Sequence, residues 1–178
     1  MDTVTTAGSF LVATPLVGGP PFDRTVIAML EHDPEGAIGL ILNSPTELDA
    51  GLYVPEVASL LAEPPLVHFG GPVATDSAVV VGRTTAPSVT GSAIRSVRVI
   101  DPHEPPADLT DVRVYAGYAG WSPGQLEREL EEGAWWVIPE RPDGWSGERG
   151  TSYWTACVLD APGRIPFHAT YNDTPWLN

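Results

Sequence analysis

The chain has 178 residues and a formal net charge of −14, and all nine of its basic residues are arginines. The lack of lysine excludes a Schiff-base or P-loop lysine within this chain. The acidic balance argues against direct binding to nucleic acids or to an anionic membrane surface, because both depend on Lys and Arg contacts.

Length and cysteine usage predict one cytoplasmic domain that spans residues 1–178. Cys157 is the only cysteine, so no internal disulfide can form, and its apolar context YWTACVLD predicts a buried structural role. The N-terminal residues lack the basic and apolar regions of a secretion signal. No apolar run approaches the ~20 residues of a membrane span.

The first predicted elements are strands. Residues 9–14, SFLVAT, have the composition of a strand. Two apolar runs of strand length follow at 25–32 and 37–43. The DPEG between them places Asp, Pro and Gly where a β-turn prefers them, so we predict a β-hairpin.

The remaining segments predict further strands and three helices. Helical spacing of Val54, Val57, Leu60 and Leu61 predicts a helix over 53–62. Strands are expected at 66–69, 77–82, 94–100, 112–118, 135–138 and 166–171, helices at 123–132 and 151–159, and loops at 101–111 and 139–150. Helices and strands alternate without a regular βαβ rhythm, which favours an α+β fold over a doubly wound sheet.

The helix over 123–132 has clear boundary signals. Ser122 is a good N-cap, Pro123 suits the first helical position, and Gln125 completes a capping box. Gly133 stands where a left-handed residue ends a helix. Leu126 and Leu130 are expected to be buried. Four charged residues of this helix are expected to form a solvated face: Glu127, Arg128, Glu131 and Glu132.

The glycines before this helix leave two interpretations open. Gly117, Gly120 and Gly124 could give a bare backbone loop that holds an anion at the helix N-terminus. Their spacing matches neither a P-loop nor a dinucleotide fingerprint. The alternative is a tight strand-to-helix turn packed under Trp121.

Four segments of the chain resemble the YqgE/AlgH family of small bacterial proteins. They are FLVATP with FDRTVIAMLEHDPEGAIGLILNSP, then HFGGPV at 68–73, GYAGWSPGQLERELEEGAW, and HATYNDTPWLN at 168–178. The motif positions are Arg24, Glu31, His32, Gly36, Asn43, Pro45, Gly70, Gly71, Pro72, Gly117, Gly120, Trp121, Gln125 and Leu126.

The resemblance implies an α+β fold with a branched mixed or antiparallel sheet, a small barrel-like part and flanking helices. It implies no known reaction, although one branch of the family is described as a regulator with a suggested role in transcription. This chain departs from the family in SYWTACVLDAPGR, which has few basic residues where the family has several. A nucleic-acid role that depends on that segment is therefore in doubt.

The motifs contain few catalytic or metal-binding signals. The four histidines lack ligand spacing and no cysteine cluster exists, so we expect neither a metal nor a cofactor. Glu31 and Asp33 should face one side of a strand with His32 opposite. Capping of the turn is the favoured role of the pair, and a metal or acid/base role is the alternative. Arg95 and Arg98 should face opposite sides of a strand, which argues against direct DNA binding.

Two functional hypotheses remain. The favoured one is a non-catalytic binding or regulatory protein that holds a small anionic ligand or a protein partner. Its predicted ligand-binding residues are Arg24, Asn43, Gly70, Gly71, Gly120, Trp121, Ser122 and Gln125. The alternative is a hydrolase or transferase of unknown substrate that uses Glu31, Arg24 and Gln125.

Overall fold

A branched sheet with two flanking helices forms the fold. The computed structural model describes residues 5–85, 97–141, 145 and 150–161. Within them lie nine strands, β1 Ser9–Ala13, β2 Val26–Asp33, β3 Gly36–Ile41, β4 Pro45–Asp49, β5 Leu66–Phe69, β6 Val73–Thr84, β7 Val97–Val99, β8 Leu109–Trp121 and β9 Trp135–Pro139. The two α-helices are α1 Gln125–Glu131 and α2 Gly150–Asp160.

The long strand β8 joins the two halves of the sheet. Its last residues pair antiparallel with β3, which continues through β2 and β1 to β9. Its earlier residues pair with β6 on one side and, in parallel, with β5 on the other. Strand β6 pairs in turn with β7, and β5 pairs with β4. The predicted α+β fold with a branched mixed sheet is therefore confirmed.

The barrel-like part implied by the family resemblance is not a closed barrel. Among the described strands, β4 pairs only with β5 and β7 pairs only with β6. Both are short edge strands, and no ladder joins one edge to the other, so this half of the sheet remains open.

Most predicted strands are confirmed. The hairpin at 25–32 and 37–43 corresponds to β2 and β3, and Asp33 accepts a hydrogen bond from the Glu35 N–H (2.8 Å) in the turn. The strands predicted at 9–14, 66–69, 77–82 and 135–138 and the helix at 151–159 are also present. Residues 94–96, the strand at 166–171 and the motif at 168–178 lie outside the described residues.

The α-helix predicted over 53–62 is wrong. The chain instead forms two 3₁₀ segments, Ala50–Leu52 and Pro55–Leu60. Pro55 has no N–H to continue a helix from the preceding turn, and Val57 has non-helical dihedral angles (φ −119°, ψ 15°). Val54 and Val57 are nevertheless buried, as their spacing predicted.

The loop or tight turn predicted between the strand at 112–118 and α1 is also wrong. Strand β8 begins at Leu109 and continues through both Gly117 and Gly120 to Trp121. The positive φ of Gly117 (67°) is accommodated because β6 bulges opposite it, between the pairs Val73–Tyr118 and Ala78–Ala116. The glycine-rich segment is thus largely a strand, not a loop.

Both faces of the β1–β2–β3 half are covered. Phe10 and Val12 pack into one core with α2, whereas Leu11 and Ala13 pack into another with α1. This alternation follows from the two-residue period of a strand. Cys157 on α2 is fully buried, which confirms its predicted packing role. No helix in the described part of the chain has the length and apolar character to cross a membrane.

Candidate functional site

An acidic cleft lies where the β2–β3 hairpin meets the end of β8. Strand alternation leaves Glu31 and Asp33 exposed and turns His32 inward, as predicted. Glu35 follows in the turn and is also exposed. Gly36 closes the turn with a φ of 140°, and a Cβ there would lie 2.4 Å from the carbonyl oxygen of Trp121. Only glycine lets the hairpin approach β8 so closely.

The floor of the cleft is formed by apolar and aromatic groups. Ile38 of β3 is paired with Gly120 of β8, and Val73 is paired with Tyr118. The cleft has a volume of about 450 Å³. Its lining residues are Glu31, Asp33, Glu35, Gly36, Ala37, Ile38, Val73, Tyr118, Gly120, Trp121 and Ser122. No arginine is among these described lining residues, so a cationic group is favoured in this cleft over an anion.

The indole of Trp121 is held in place by Glu129 of α1. Glu129 Oε2 accepts hydrogen bonds from Trp121 Nε1 (2.8 Å) and from Trp135 Nε1 (2.7 Å). Its other oxygen accepts one from Gln125 Nε2 (2.9 Å). The sequence-based prediction gave Glu129 no role and assigned only the other charged residues of this helix to a solvated face. The i, i+4 spacing from Gln125 was the available signal.

His32 ties the wall of the cleft to the N-terminal segment and to α1. The Thr6 N–H donates to His32 Nδ1 (3.1 Å), so the proton of the neutral ring is on Nε2. Nε2 then donates to Glu127 Oε1 (3.3 Å). The pKa of Glu127 is lowered by a hydrogen bond from its own backbone N–H and, secondarily, by His32. Glu127 therefore has a partner, unlike a purely solvated side chain.

Three of the predicted ligand residues lie together at this cleft. Gly120, Trp121 and Ser122 line it, next to Glu31 of the alternative hypothesis. Gln125 lies one turn further on, with Nε2 donating to Glu129 and Oε1 accepting from the Ser122 N–H (3.1 Å). Both polar atoms of the Gln125 amide are therefore hydrogen-bonded to residues at the start of α1 and within it.

Arg24 and Asn43 lie elsewhere, where Arg24 precedes the start of β2 and Asn43 follows the end of β3. Arg24 stands over the Trp154 ring (5.7 Å to the centroid) and lines a separate pocket. Asn43 is buried, and its amide accepts from the Val26 N–H (2.9 Å) and donates to the carbonyls of Arg24 (2.9 Å) and Gly150 (2.8 Å). These contacts give Asn43 a structural role.

Gly70 and Gly71 are pressed against the backbone of β8. A Cβ on Gly70 would lie 2.2 Å from the Gly117 carbonyl oxygen, and one on Gly71 would lie 2.1 Å from the Tyr118 carbonyl carbon. Both glycines are buried. Close approach of two backbones explains them without a ligand.

Comparison with known proteins assigns the chain to a family. The model of a family described as AlgH-like matches residues 10–165. The chain belongs to the AlgH-like family. The resemblance stated from the sequence motifs is thus confirmed.

Relatives and solved structures agree with this assignment. A UPF0301 protein of Streptomyces coelicolor is 40% identical over 96% of this AlgH-like chain and 94% of its own. The crystal structure of protein DIP2367 from Corynebacterium diphtheriae is similar, with a TM-score of 0.82, 32% identity and coverage of 96% and 95% of the two chains. The solution structure of AlgH from Pseudomonas aeruginosa shares the fold, with a TM-score of 0.58, 23% identity and coverage of 98% and 94%.

The AlgH-like fold does not bring the proposed catalytic trio together. Arg24 precedes β2 and Glu31 lies near its other end, so roughly 17 Å of strand separates Val26 from Glu31 at about 3.3 Å per residue. Gln125 is bonded to Glu129 and Ser122. Among the described residues, no group of three His, Cys, Asp or Glu side chains is placed to hold a metal ion.

Proposed function

We propose that this protein is a non-catalytic binding protein whose acidic cleft holds a basic segment of a protein partner. The observation that carries the proposal is the group of three exposed carboxylates, Glu31, Asp33 and Glu35, at a cleft of about 450 Å³ that no arginine of the described part of the chain lines. While the cleft holds this basic segment, the segment is inaccessible to other molecules, and the partner would be regulated in this way. In line with the composition, we place this binding in the cytoplasm.

Charge supports a basic partner over a small anion at this cleft. An anion would face three like charges, and like-charge contacts oppose binding. A Lys or Arg side chain could instead place its head group among the carboxylates. Its aliphatic stem could then lie along Val73 and the ring of Tyr118, as such stems do on apolar surfaces. The net charge of −14 adds long-range attraction for basic partners.

The shape and exposure of the site support binding over catalysis. Glu31 is exposed at the rim and far along β2 from Arg24, so the two do not form a charge pair in a cleft. Carboxylates that act in acid/base chemistry lie in environments that perturb them, by burial or by a close charge.

Binding of fluorescent ten-residue peptides of graded Arg content, followed by anisotropy at low salt, tests the proposal. Neutralising the rim with Glu31→Gln, Asp33→Asn and Glu35→Gln should weaken binding of the basic peptides about 3- to 160-fold, at roughly 0.2–1 kcal/mol for each exposed pair. The matched control neutralises three exposed carboxylates elsewhere, Glu104, Glu131 and Glu132. Equal losses in both triple variants would show only a general charge effect and contradict the proposal.

A further inference from the structure

A second polar cluster lies buried between β5 and β8, away from the acidic cleft. Arg113 and Tyr115 are two residues apart on β8 and therefore face the same side. His68 of β5 and Trp145 complete the group. Only 6% of Arg113 is exposed, and the other three side chains are exposed by 3% or less.

The hydrogen bonds define the state of the ring and of the guanidinium. His68 Nδ1 lies 3.1 Å from the Leu66 carbonyl, which only accepts, so the proton is on Nδ1. His68 Nε2 then accepts from Arg113 Nη1 (3.2 Å). Arg113 Nε donates to the carbonyl oxygen of Trp145.

The cluster has more donors than acceptors. Arg113 Nη2, the Tyr115 hydroxyl and Trp145 Nε1 are buried and have no hydrogen-bond partner within the described part of the chain. Burial raises the pKa of Tyr115 above its ordinary value, so its hydroxyl remains a donor. The rings are neighbours, with 6.2 Å between the centroids of Tyr115 and Trp145 and 5.7 Å between those of His68 and Tyr115.

The cluster also carries a positive charge that no carboxylate neutralises among the described residues. An arginine is always protonated in a protein, and a buried charge is normally paired. Leaving one unpaired is costly. An internal water would satisfy a donor, but it would leave the charge uncompensated. Strain, an ordered water or a bound ion can account for an unsatisfied buried donor, and of these only a bound anion would also neutralise the guanidinium.

We propose that Arg113, Tyr115 and Trp145 form a binding site for a small oxyanion, either a carboxylate or a phosphate. Such an ion accepts hydrogen bonds at each oxygen and neutralises the guanidinium charge. The three donor atoms are closed to solvent, so the ligand is a small ion and not an acidic group on a large molecule. The site is distinct from the acidic cleft and does not depend on the function proposed for it.

Thermal unfolding of the dialysed protein in sodium formate, sodium phosphate and sodium gluconate at equal ionic strength tests this site. At about 100 times Kd, formate or phosphate should raise Tm by about 5–10 °C relative to gluconate, which is too large to enter. A rise with formate alone assigns a carboxylate site, and a rise with phosphate alone assigns a phosphate site. The indole N–H signal of Trp145, assigned with Trp145→Phe, should shift with the same ion.

Two variants separate this site from general ion effects. Tyr115→Phe removes a hydroxyl without a partner, so it should leave Tm in gluconate unchanged while losing most of the rise with formate or phosphate. Arg113→Gln should lose the rise in Tm entirely. If Arg113→Gln does not fold, the result with Tyr115→Phe decides whether the site binds the ion. Tyr53→Phe, at a half-exposed tyrosine (56%), is the control. The proposal would be overturned if neither ion raised Tm, or if Tm rose equally in Tyr115→Phe and in the unsubstituted protein. The cluster would then hold an internal water only.

Discussion

At the scale of single residues, Asn43 shows how a polar motif residue is used by the fold itself. Its amide is buried and joins three segments, through Val26, Arg24 and Gly150. From the sequence it was grouped with a ligand site because Asn43 is one of the motif positions of the family resemblance. Its three partners lie 17, 19 and 107 residues away along the chain, and the sequence does not reveal these contacts.

We expect Asn43→Ala to lower the free energy of unfolding by about 2–4 kcal/mol. The substitution leaves the Val26 N–H buried without an acceptor and removes two donors. Urea unfolding measures the change, with Glu104→Gln at an exposed position as the control. A loss below about 0.5 kcal/mol would mean that Asn43 is not structural and would reopen its predicted ligand role.

At the scale of elements, the start of α1 shows where the sequence signals were incomplete. Ser122, Pro123 and Gln125 predicted a helix from residue 123, but α1 begins at Gln125 with Gly124 in the left-handed conformation (φ 71°) as N-cap. One half of the expected capping box is present, because Gln125 Oε1 accepts from the Ser122 N–H. The other end was predicted correctly, since Gly133 has a φ of 79°.

Because no side chain caps α1, Ser122→Ala should change stability by less than about 0.5 kcal/mol. A true N-cap serine would cost about 0.5–2 kcal/mol on the same change. Asp49→Ala is the matched comparison, because Asp49 Oδ1 accepts from the Gly51 N–H (2.8 Å) and caps a 3₁₀ segment. Equal losses for both variants in urea unfolding would contradict the observed start of α1.

The success of the hairpin prediction and the failure over 117–121 have different physical causes. The hairpin is local, since two apolar runs and a four-residue turn specify their own pairing. The end of β8 is a strand because distant partners, Val73 of β6 and Ala37–Gly39 of β3, pair with it. Glycines have no strand preference of their own, so the sequence alone favoured a loop there.

At the scale of the whole molecule, β8 is the strand on which both halves depend. The turn after β5 presses Gly71 onto β8 where the sheet branches, with a φ of 152°. The sequence predicted one site from eight residues, but the strand order places only three of them at the cleft and distributes the other five over separate parts of the fold. Strand order depends on long-range pairing that no single segment encodes.

Gly71→Ala should therefore destabilise the protein by about 3–5 kcal/mol, from the backbone clash and the unfavourable φ together. Gly18→Ala is the control, because a Cβ there meets no atom within 4 Å. Circular dichroism with urea unfolding compares the two. Similar stability of both variants would mean that the β5 turn does not approach β8 as described.

The most direct test of the acidic cleft is a titration of ¹⁵N-labelled protein with an Arg-rich ten-residue peptide, followed by NMR. We expect the amide signals of Gly36, Ala37, Gly120 and Trp121 to shift together and saturably. In the variant with Glu31→Gln, Asp33→Asn and Glu35→Gln, these signals should not shift. Shifts confined to other surfaces, or the same shifts in that variant, would contradict a basic partner in the cleft.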